Sequence, residues 1–460
     1  LSSEPIVFGL ESLALLSQQR SEDELWLDDL SVTTWTEFGA AVEAARKQCE
    51  ALGVQPGEIV LTPGEASLDS LAWLLGAATC GAVVAPLRRE REAEIDSWKN
   101  HVAIGWRVRE GRLSKVGEGT ASTGAARLLD LLCGRKHPGL ILATGGTTGT
   151  SKLVLHDLTT LLSSVPTKSG RPWRTLPLMR FDHIGGLDMA WRALSGGQIL
   201  VAPPAELTPE AVAKKVMRHR VEVLPATPSF LNLLLLAEVQ RTYDLGALRV
   251  VPYGAEPMPG GLLQRLRVAL PQVDFVQRYG TSETGALPVR DSGAGLILDT
   301  SRAGFEWKIV EGELWVRSPA RGLGYLSGGD NNRFTDTGWF CTGDLAGQLP
   351  DGAVKILGRR EELINVGGEK VLPATVESVL LMHPLIADCR VMPLPNAVLG
   401  QIVAVEVVWR GAQRDPVAVK RMIHEFAVTL LPKCHLPTVV RLVGAIETTR
   451  NLKKNRSTNP

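Results

Sequence analysis

The residues with the most evident chemical capacity lie in one stretch, Leu140-Ile141-Leu142-Ala143-Thr144-Gly145-Gly146-Thr147-Thr148-Gly149-Thr150-Ser151-Lys152. Its apolar start reads as a buried strand, which breaks into glycines and threonines and closes on a lysine. Glycines let the backbone turn with positive φ and approach a ligand closely, so that successive N–H groups form an anion-binding concavity. Threonine hydroxyls add donors, and Lys152 supplies a point charge suited to phosphate. The chemistry is that of a polyphosphate cradle. It is not a Walker loop, because Thr150-Ser151 separates the last glycine from the lysine, nor does it match G-x-G-x-x-G. A plain Gly/Thr surface loop between a strand and a helix would have the same composition.

A second candidate is His183 in Phe181-Asp182-His183-Ile184-Gly185-Gly186. A histidine between a carboxylate and two glycines, just past the apolar Leu176-Pro177-Leu178, could line a pocket; a satisfied core histidine is the plainer alternative. Val221–Pro225 and Leu248–Pro252 read as short strands ending near proline. Tyr253-Gly254-Ala255-Glu256 and Phe275–Gly280 then place a tyrosine and a glycine at strand ends. In α/β sheets, ligand sites collect just beyond the carboxyl ends of strands.

The elements that must hold these residues follow from periodicity. Thr33-Thr34-Trp35-Thr36-Glu37-Phe38 reads as a helix start, with threonine before an acidic first turn, and Ile59–Leu61, a Leu68–Ala78 helix and Val83–Ala85 give a βαβ rhythm. Residues 88–127 are polar and yield no assignment. After about residue 295 the texture changes to alternating short strands with glycine-rich turns, such as Glu313–Arg317, which suggests an antiparallel, barrel-like unit. Gly358-Arg359-Arg360-Glu361-Glu362 is a charged break. Beyond it a helix (Pro373–Met382), two strands (Cys389–Leu394, Ile402–Trp409) and a helix (Val417–Leu431) suit a small α+β domain.

The 460 residues are too many for one core, and roughly two or three domains are expected. With 50 Lys+Arg against 49 Asp+Glu, no electrostatic pull toward nucleic acid or anionic membrane follows. The six cysteines (Cys49, Cys80, Cys133, Cys341, Cys389, Cys434) include no C-x-x-C pair, which argues against a zinc site or disulfide framework and for a reducing, cytoplasmic setting. The most membrane-like run, Leu71–Leu87, is interrupted by Gly76, Gly81 and Pro86 and reads as buried helix plus strand. The first residues show no charged-then-apolar leader.

Thr144–Lys152, Tyr279-Gly280-Thr281-Ser282-Glu283, Trp339-Phe340-Cys341-Thr342-Gly343-Asp344, Gly358-Arg359-Arg360-Glu361 and the tail around Lys453, in this order, resemble the adenylate-forming superfamily of acyl-CoA synthetases, nonribosomal adenylation domains and luciferases. The resemblance covers nearly the whole chain. It implies an α/β fold, with a large N-terminal domain (1–357) of α/β subdomains plus a distorted β-barrel and a small mobile α+β C-terminal domain (358–460) carrying the catalytic lysine.

It also implies ATP-dependent activation of an aryl or acyl carboxylic acid to an acyl adenylate, then transfer to the thiol of coenzyme A. Thr144, Gly145, Gly146, Thr147, Thr148, Gly149 and Lys152 would hold the phosphates, and Glu283 would ligate Mg²⁺. Gly254, Ala255, Glu256, Tyr279, Gly280 and Ser282 would bind AMP, with Asp344 and Arg359 on the ribose. Lys453 would be catalytic, with Lys454 its only rival; Leu452 stands where the family pattern has glycine, and Ser151 and Leu153 depart from the usual proline and glycine. Glu361 would be the hinge, Gly367-Gly368 would admit the pantetheine arm unless they form an ordinary turn, and His183 would gate the acyl pocket. The region from Asp182 to Gly186, with Trp191-Arg192, looks mildly like ligases of aromatic and o-succinylbenzoate-type acids. Two alternatives stand beside coenzyme A: an acyl carrier protein as acceptor, or a degenerate nucleotide-binding member.

Overall fold

The structure, a computed structural model, describes residues 9–144, 151–166, 171–291, 296–301, 303–413, 415–449 and 452–455. Strict alternation along its central strands decides the layering. In Ile59–Pro63, Ile59 and Leu61 enter one core while Val60 enters another, as a side-chain period of two requires. That strand belongs to a seven-stranded mixed sheet, ordered Gly324–Ser327, Lys152–Asp157, Gly139–Thr144, Val83–Leu87, Ile59–Pro63, Ile104–Arg109, Arg112–Glu118. Helices Trp35–Leu52 and Leu68–Thr79 cover one face. The first is capped as expected, Thr34 Oγ1 accepting from the Glu37 amide while the Glu37 carboxylate accepts from that of Thr34. The two helices approach closely at Gly76, where a Cβ would lie 2.7 Å from the Val42 carbonyl.

A second sheet runs Val32–Thr34, Glu24–Leu27, Ile199–Val201, Arg174–Thr175. It continues through single bridges at Val223 to the parallel pair Val250–Tyr253 and Asp274–Gln277. The strand expected over Val221–Pro225 is thus reduced to bridges, since Pro225 has no N–H to extend the ladder. The Leu71–Leu87 run is a buried helix and strand as read, and among the described residues no helix is long and apolar enough to cross a membrane.

Two stretches hold more than the sequence assigned to them. Residues 88–127 hold a 3₁₀ turn (Arg89–Glu94), a helix (Ile95–Lys99), a hairpin (Ile104–Arg109 with Arg112–Glu118) and the start of a second helix, Thr123–Gly134. The hairpin turns on Glu110 and Gly111, both at positive φ, a signal that the surrounding charge obscured. The phosphate-loop stretch does not lead into a helix either: Lys152 opens a strand antiparallel to Gly139–Thr144, with Thr144 directly opposite Lys152.

From Val289 onward six antiparallel strands follow, ordered Val289–Asp291, Leu296–Leu298, Val354–Arg359, Trp339–Gln348, Glu313–Arg317, Glu306–Val310. Among the described residues its two outer strands do not pair. Five later strands, Ile364–Val366, Glu369–Val371, Ile386–Asn396, Gly400–Trp409 and Val439–Leu442, form a sheet with their own core and the helices Pro373–Leu380 and Pro416–Ala427. This C-terminal part rests on helix Gly260–Ala269. The Gly260 amide donates to Ser378 Oγ at 3.3 Å, and a Cβ on Gly261 would lie 2.9 Å from the Leu381 carbonyl. That docking brings the tail back to the large part.

Candidate functional site

Strand Trp339–Gln348 alternates in burial, which turns Asp344 inward. Its Oδ2 accepts from Tyr279 Oη at 2.5 Å, and its Oδ1 lies 2.7 Å from Arg359 Nε. Arg359 sits directly opposite on the neighbouring strand. Burial pushes the Asp344 carboxyl up, while Arg359 and Tyr279 hold it down. Burial, then the Asp344 charge, raise the Tyr279 hydroxyl well above its ordinary range. Each Asp344 oxygen retains capacity for another donor, because a carboxylate offers about four lone-pair positions.

The segment after Tyr279 is held rigidly by its own threonines. Thr281 Oγ1 accepts from the amides of Glu283 and Thr284, and Thr284 Oγ1 from that of Thr281. Gly280 is needed there, since a Cβ would stand 2.4 Å from the Gly285 carbonyl. Buried His156 places Nε2 2.6 Å from the Ser282 carbonyl. Tyr325 Oη donates to Glu283 Oε1 at 2.8 Å, and Oε2 has no partner among the described residues. No group of three metal-ligating side chains occurs among the described residues. A single oriented carboxylate with a free oxygen fits Mg²⁺, which is held by one or two carboxylates plus phosphate oxygens rather than by a protein cage.

Strand Val250–Tyr253 ends in Gly254-Ala255-Glu256, where a Cβ on Gly254 would lie 2.7 Å from the Arg278 carbonyl and Ala255 adopts φ +69. Left-handed residues other than glycine are uncommon and persist where surroundings over-determine them. Glu256 joins two parts of the molecule: Oε2 accepts from the Ser229 amide at 3.1 Å and Oε1 from the Lys454 amide at 2.7 Å.

The two adjacent lysines divide their roles. Lys454 is buried, its Nζ 3.0 Å from Asp388 Oδ1, 3.8 Å from Glu377 Oε2 and 2.5 Å from the Cys389 carbonyl, all within the C-terminal part. Lys453 makes no ion pair among the described residues. Burial lowers its pKa, Glu256 opposes that, and Arg359, Glu362 and Asp344 are also within electrostatic reach.

His183 precedes helix Ile184–Gly196, its Nε2 3.5 Å from Asp182 Oδ1. Neither atom has a hydrogen-bond partner among the described residues. Burial pushes the imidazole down to about 4, against the Asp182 charge; Lys453, Arg88 and Arg91 lower it further. Asp182 Oδ2 is 2.8 Å from Arg88 Nε and 3.3 Å from Arg91. Arg91 also donates to the Ala143 carbonyl and to Ser151 Oγ, at 3.2 and 3.0 Å. One guanidinium therefore ties together both flanks of the 145–150 segment and the acid beside His183.

The structure thus brings Glu256, Asp344, Arg359 and His183 within electrostatic reach of Lys453, with Tyr279 on Asp344. Thr144 and Lys152 stand at the base of the glycine-rich segment; Gly145, Gly146, Thr147, Thr148 and Gly149 lie outside the described residues. Gly367 and Gly368 do not join this group. They form an exposed hairpin turn, both at positive φ, where a Cβ on Gly368 would meet nothing within 4 Å. Glu361 is exposed in a short 3₁₀ turn. Sequence reasoning missed Arg88, Arg91, His156, Thr227 and Tyr325. Only Arg88 carried a signal, its place just past the strand Val83–Leu87.

Family models for the AMP-binding enzyme and the AMP-binding enzyme C-terminal domain match residues 132–326 and 375–453. "4-coumarate--CoA ligase-like 2" of Arabidopsis thaliana is 31% identical over 292 residues, 57% of this chain and 50% of its own length. "4-coumarate--CoA ligase-like 9" of the same plant is 26% identical over 456 residues, 87% of this chain and 79% of its own. The chain therefore spans about half the length of the first of these relatives. The crystal structure of the anthranilate CoA ligase AuaEII with anthranoyl-AMP superposes with TM-score 0.80 at 18% identity, covering 98% of this chain and 96% of that one. At that identity the likeness bears on fold alone.

Proposed function

Because the chain belongs to the AMP-binding enzyme family, we propose that it is an acid:CoA ligase, activating a carboxylic acid with ATP and passing the acyl group to coenzyme A. The observation that carries this reading is that Lys453, without an ion-pair partner among the described residues, lies within electrostatic reach of Glu256, Arg359 and Asp344, the last of which Tyr279 and Arg359 hold by hydrogen bond and ion pair. In the first step a carboxylate oxygen attacks the α-phosphorus, a P–O bond forms, and the bond to pyrophosphate breaks. Negative charge gathers on the phosphates, so catalysis is positioning and charge neutralisation. Lys453, desolvated and without an ion-pair partner among the described residues, is the cation that bridges the acid and the α-phosphate. Lys152, Thr144 and the glycine-rich segment hold the β- and γ-phosphates. Mg²⁺, held by Glu283, would neutralise phosphate charge.

Asp344 accepts from the ribose hydroxyls, oriented by Tyr279 and Arg359. The Tyr279 ring, with Gly280, Ser282 and Gly254-Ala255-Glu256, lines the nucleotide side. Neutral His183 stands on the acyl side, backed by Asp182, Arg88 and Arg91.

In the second step a thiolate attacks the acyl carbon and AMP leaves. On this reading residues 358–460 rotate about Glu361, and Gly367-Gly368 come to the cleft in the rotated arrangement. Aryl acids are the first substrates to test, in line with the relatives named above. The test is ATP–pyrophosphate exchange across a panel of aryl and medium-chain acids, followed by supply of free CoA or a holo carrier protein. No exchange with any acid would sink the reading, and transfer to the carrier alone would change the acceptor.

A further inference from the structure

Leu452 occupies a left-handed conformation, φ +58, immediately before Lys453. The turn that imposes it is internal to the tail: the Leu452 amide donates to the Thr449 carbonyl at 2.9 Å and the Thr449 amide to the Lys453 carbonyl at 2.6 Å. That strain therefore travels with the C-terminal part, whatever its orientation. What depends on docking is different. The Leu452 side chain packs against an apolar cluster of the large part that includes Phe230, Leu231 and Tyr253. Thr227 Oγ1 donates to the Leu452 carbonyl. The Lys454 amide donates to Glu256 Oε1 at 2.7 Å.

All three ties converge on the start of helix Pro228–Leu236. Thr227 caps that helix, accepting from the Phe230 amide at 3.2 Å, and Glu256 Oε2 takes the Ser229 amide. Thr227 and Glu256 thus serve the helix start and the tail at once, and Leu452 is the only apolar side chain of the described tail segment 452–455. A glycine in its place would relax the turn and leave the apolar contact empty.

We propose that Leu452 is a positioning residue. It latches the tail onto the large part, holds Lys453 in the cleft as the resting arrangement, and makes its own release a condition for the rotation that precedes thiol attack. The proposal deepens the reading above, but its physical part, the latch, can be measured without any substrate.

Hydrogen–deuterium exchange on the full chain supplies that measurement, comparing wild type with Leu452→Ala and Leu452→Gly. Peptides containing the Lys454 and Ser229 amides are expected to exchange roughly fivefold faster in both variants, the effect of losing about one apolar contact. Peptides from strand Gly400–Trp409 should not change. Leu452→Gly removes the left-handed strain, so it keeps the comparison valid if the alanine variant folds poorly. With an accepted acid, pyrophosphate exchange should fall by a similar factor, while thioester formation from supplied acyl adenylate holds or rises.

Unchanged exchange at Lys454 and Ser229 in the glycine variant would overturn the latch. Equal slowing of both half-reactions would overturn the positioning role. Faster amide exchange in a protein that activates no acid would uphold the latch and sink the ligase reading instead.

Discussion

Lys453 and Lys454 are consecutive, yet they serve different parts of the molecule: Lys454 Nζ lies 3.0 Å from Asp388 in the C-terminal core, whereas Lys453 is in electrostatic reach of Glu256 and Asp344 of the large part. Both follow the left-handed turn at Leu452, and one lysine anchors the tail while the other is presented by it. Lys453→Ala should abolish pyrophosphate exchange while leaving the melting curve and thioester formation from supplied adenylate nearly intact. Lys454→Ala leaves Asp388 and Glu377 buried without their cation, which costs about 3–5 kcal/mol, read as loss of stability in denaturant. Wild-type exchange in the Lys453 variant would remove it from its role.

Tyr325 orients Glu283 through a 2.8 Å hydrogen bond to Oε1. The ring is itself fixed, since the Tyr325 amide donates to Asn331 Oδ1 at 2.7 Å and the ring meets Phe334 edge-on at 5.3 Å. Tyr325→Phe keeps the packing and removes only the hydroxyl. Partners that orient a metal-binding carboxylate typically contribute roughly 10–100-fold in metal affinity or activity. The expected outcome is a rise of that order in the Mg²⁺ concentration needed for half-maximal adenylation, with the KM for acid little changed. An unaltered Mg²⁺ dependence would show that Glu283 needs no such support.

These two cases mark what could be read from sequence. Tyr279 to Glu283 and Thr342 to Asp344 are contiguous signatures whose spacing survives without coordinates. Tyr325 is not contiguous with its partner: it meets Glu283 from 42 positions away, Arg88 meets Asp182 from 94, and Thr227 meets Leu452 from 225. A lone tyrosine in a strand or a threonine before proline has no local mark of its distant partner, because the sheet ladder and the docking of the C-terminal part create the contact. The same limit explains the fold. The apolar run Ile59–Leu61 is legible as a buried strand, while the single-bridge link at Val223 depends on neighbours that only the closed sheet supplies.

His183 titrates near pH 4 when folded, against 6.5 for the unfolded side chain. Its ring faces Asp182, Lys453, Arg88 and Arg91, and burial dominates. A basic group with a depressed folded pKa takes up its proton first in the unfolded chain. Its contribution to stability is therefore full above pH 6.5, declines as pH falls to about 4, and is constant below. The loss amounts to about 3 kcal/mol across that window. His183→Asn, neutral throughout, should flatten the pH dependence of unfolding free energy between pH 6.5 and 4 relative to wild type. Parallel curves for the two proteins would mean that the ring is solvated and charged.

Gly368 lies at φ +97 in an exposed turn, where a Cβ meets nothing within 4 Å. In the arrangement seen here a side chain would therefore meet open space, and only the unfavourable φ would oppose it, by about 1–2 kcal/mol. If rotation about Glu361 brings this turn to the cleft for the second step, the same side chain would fill the path of the pantetheine arm. Gly368→Trp should then retain pyrophosphate exchange within about threefold and lose thioester formation by at least about a hundredfold. Gly368→Ala separates the two effects: it carries the same backbone strain with little bulk, so it should transfer the acyl group far better than the tryptophan variant. Equal loss of both half-reactions in Gly368→Trp, or equal thioester rates in the alanine and tryptophan variants, would place the acceptor's approach elsewhere and leave the glycine pair as an ordinary hairpin turn.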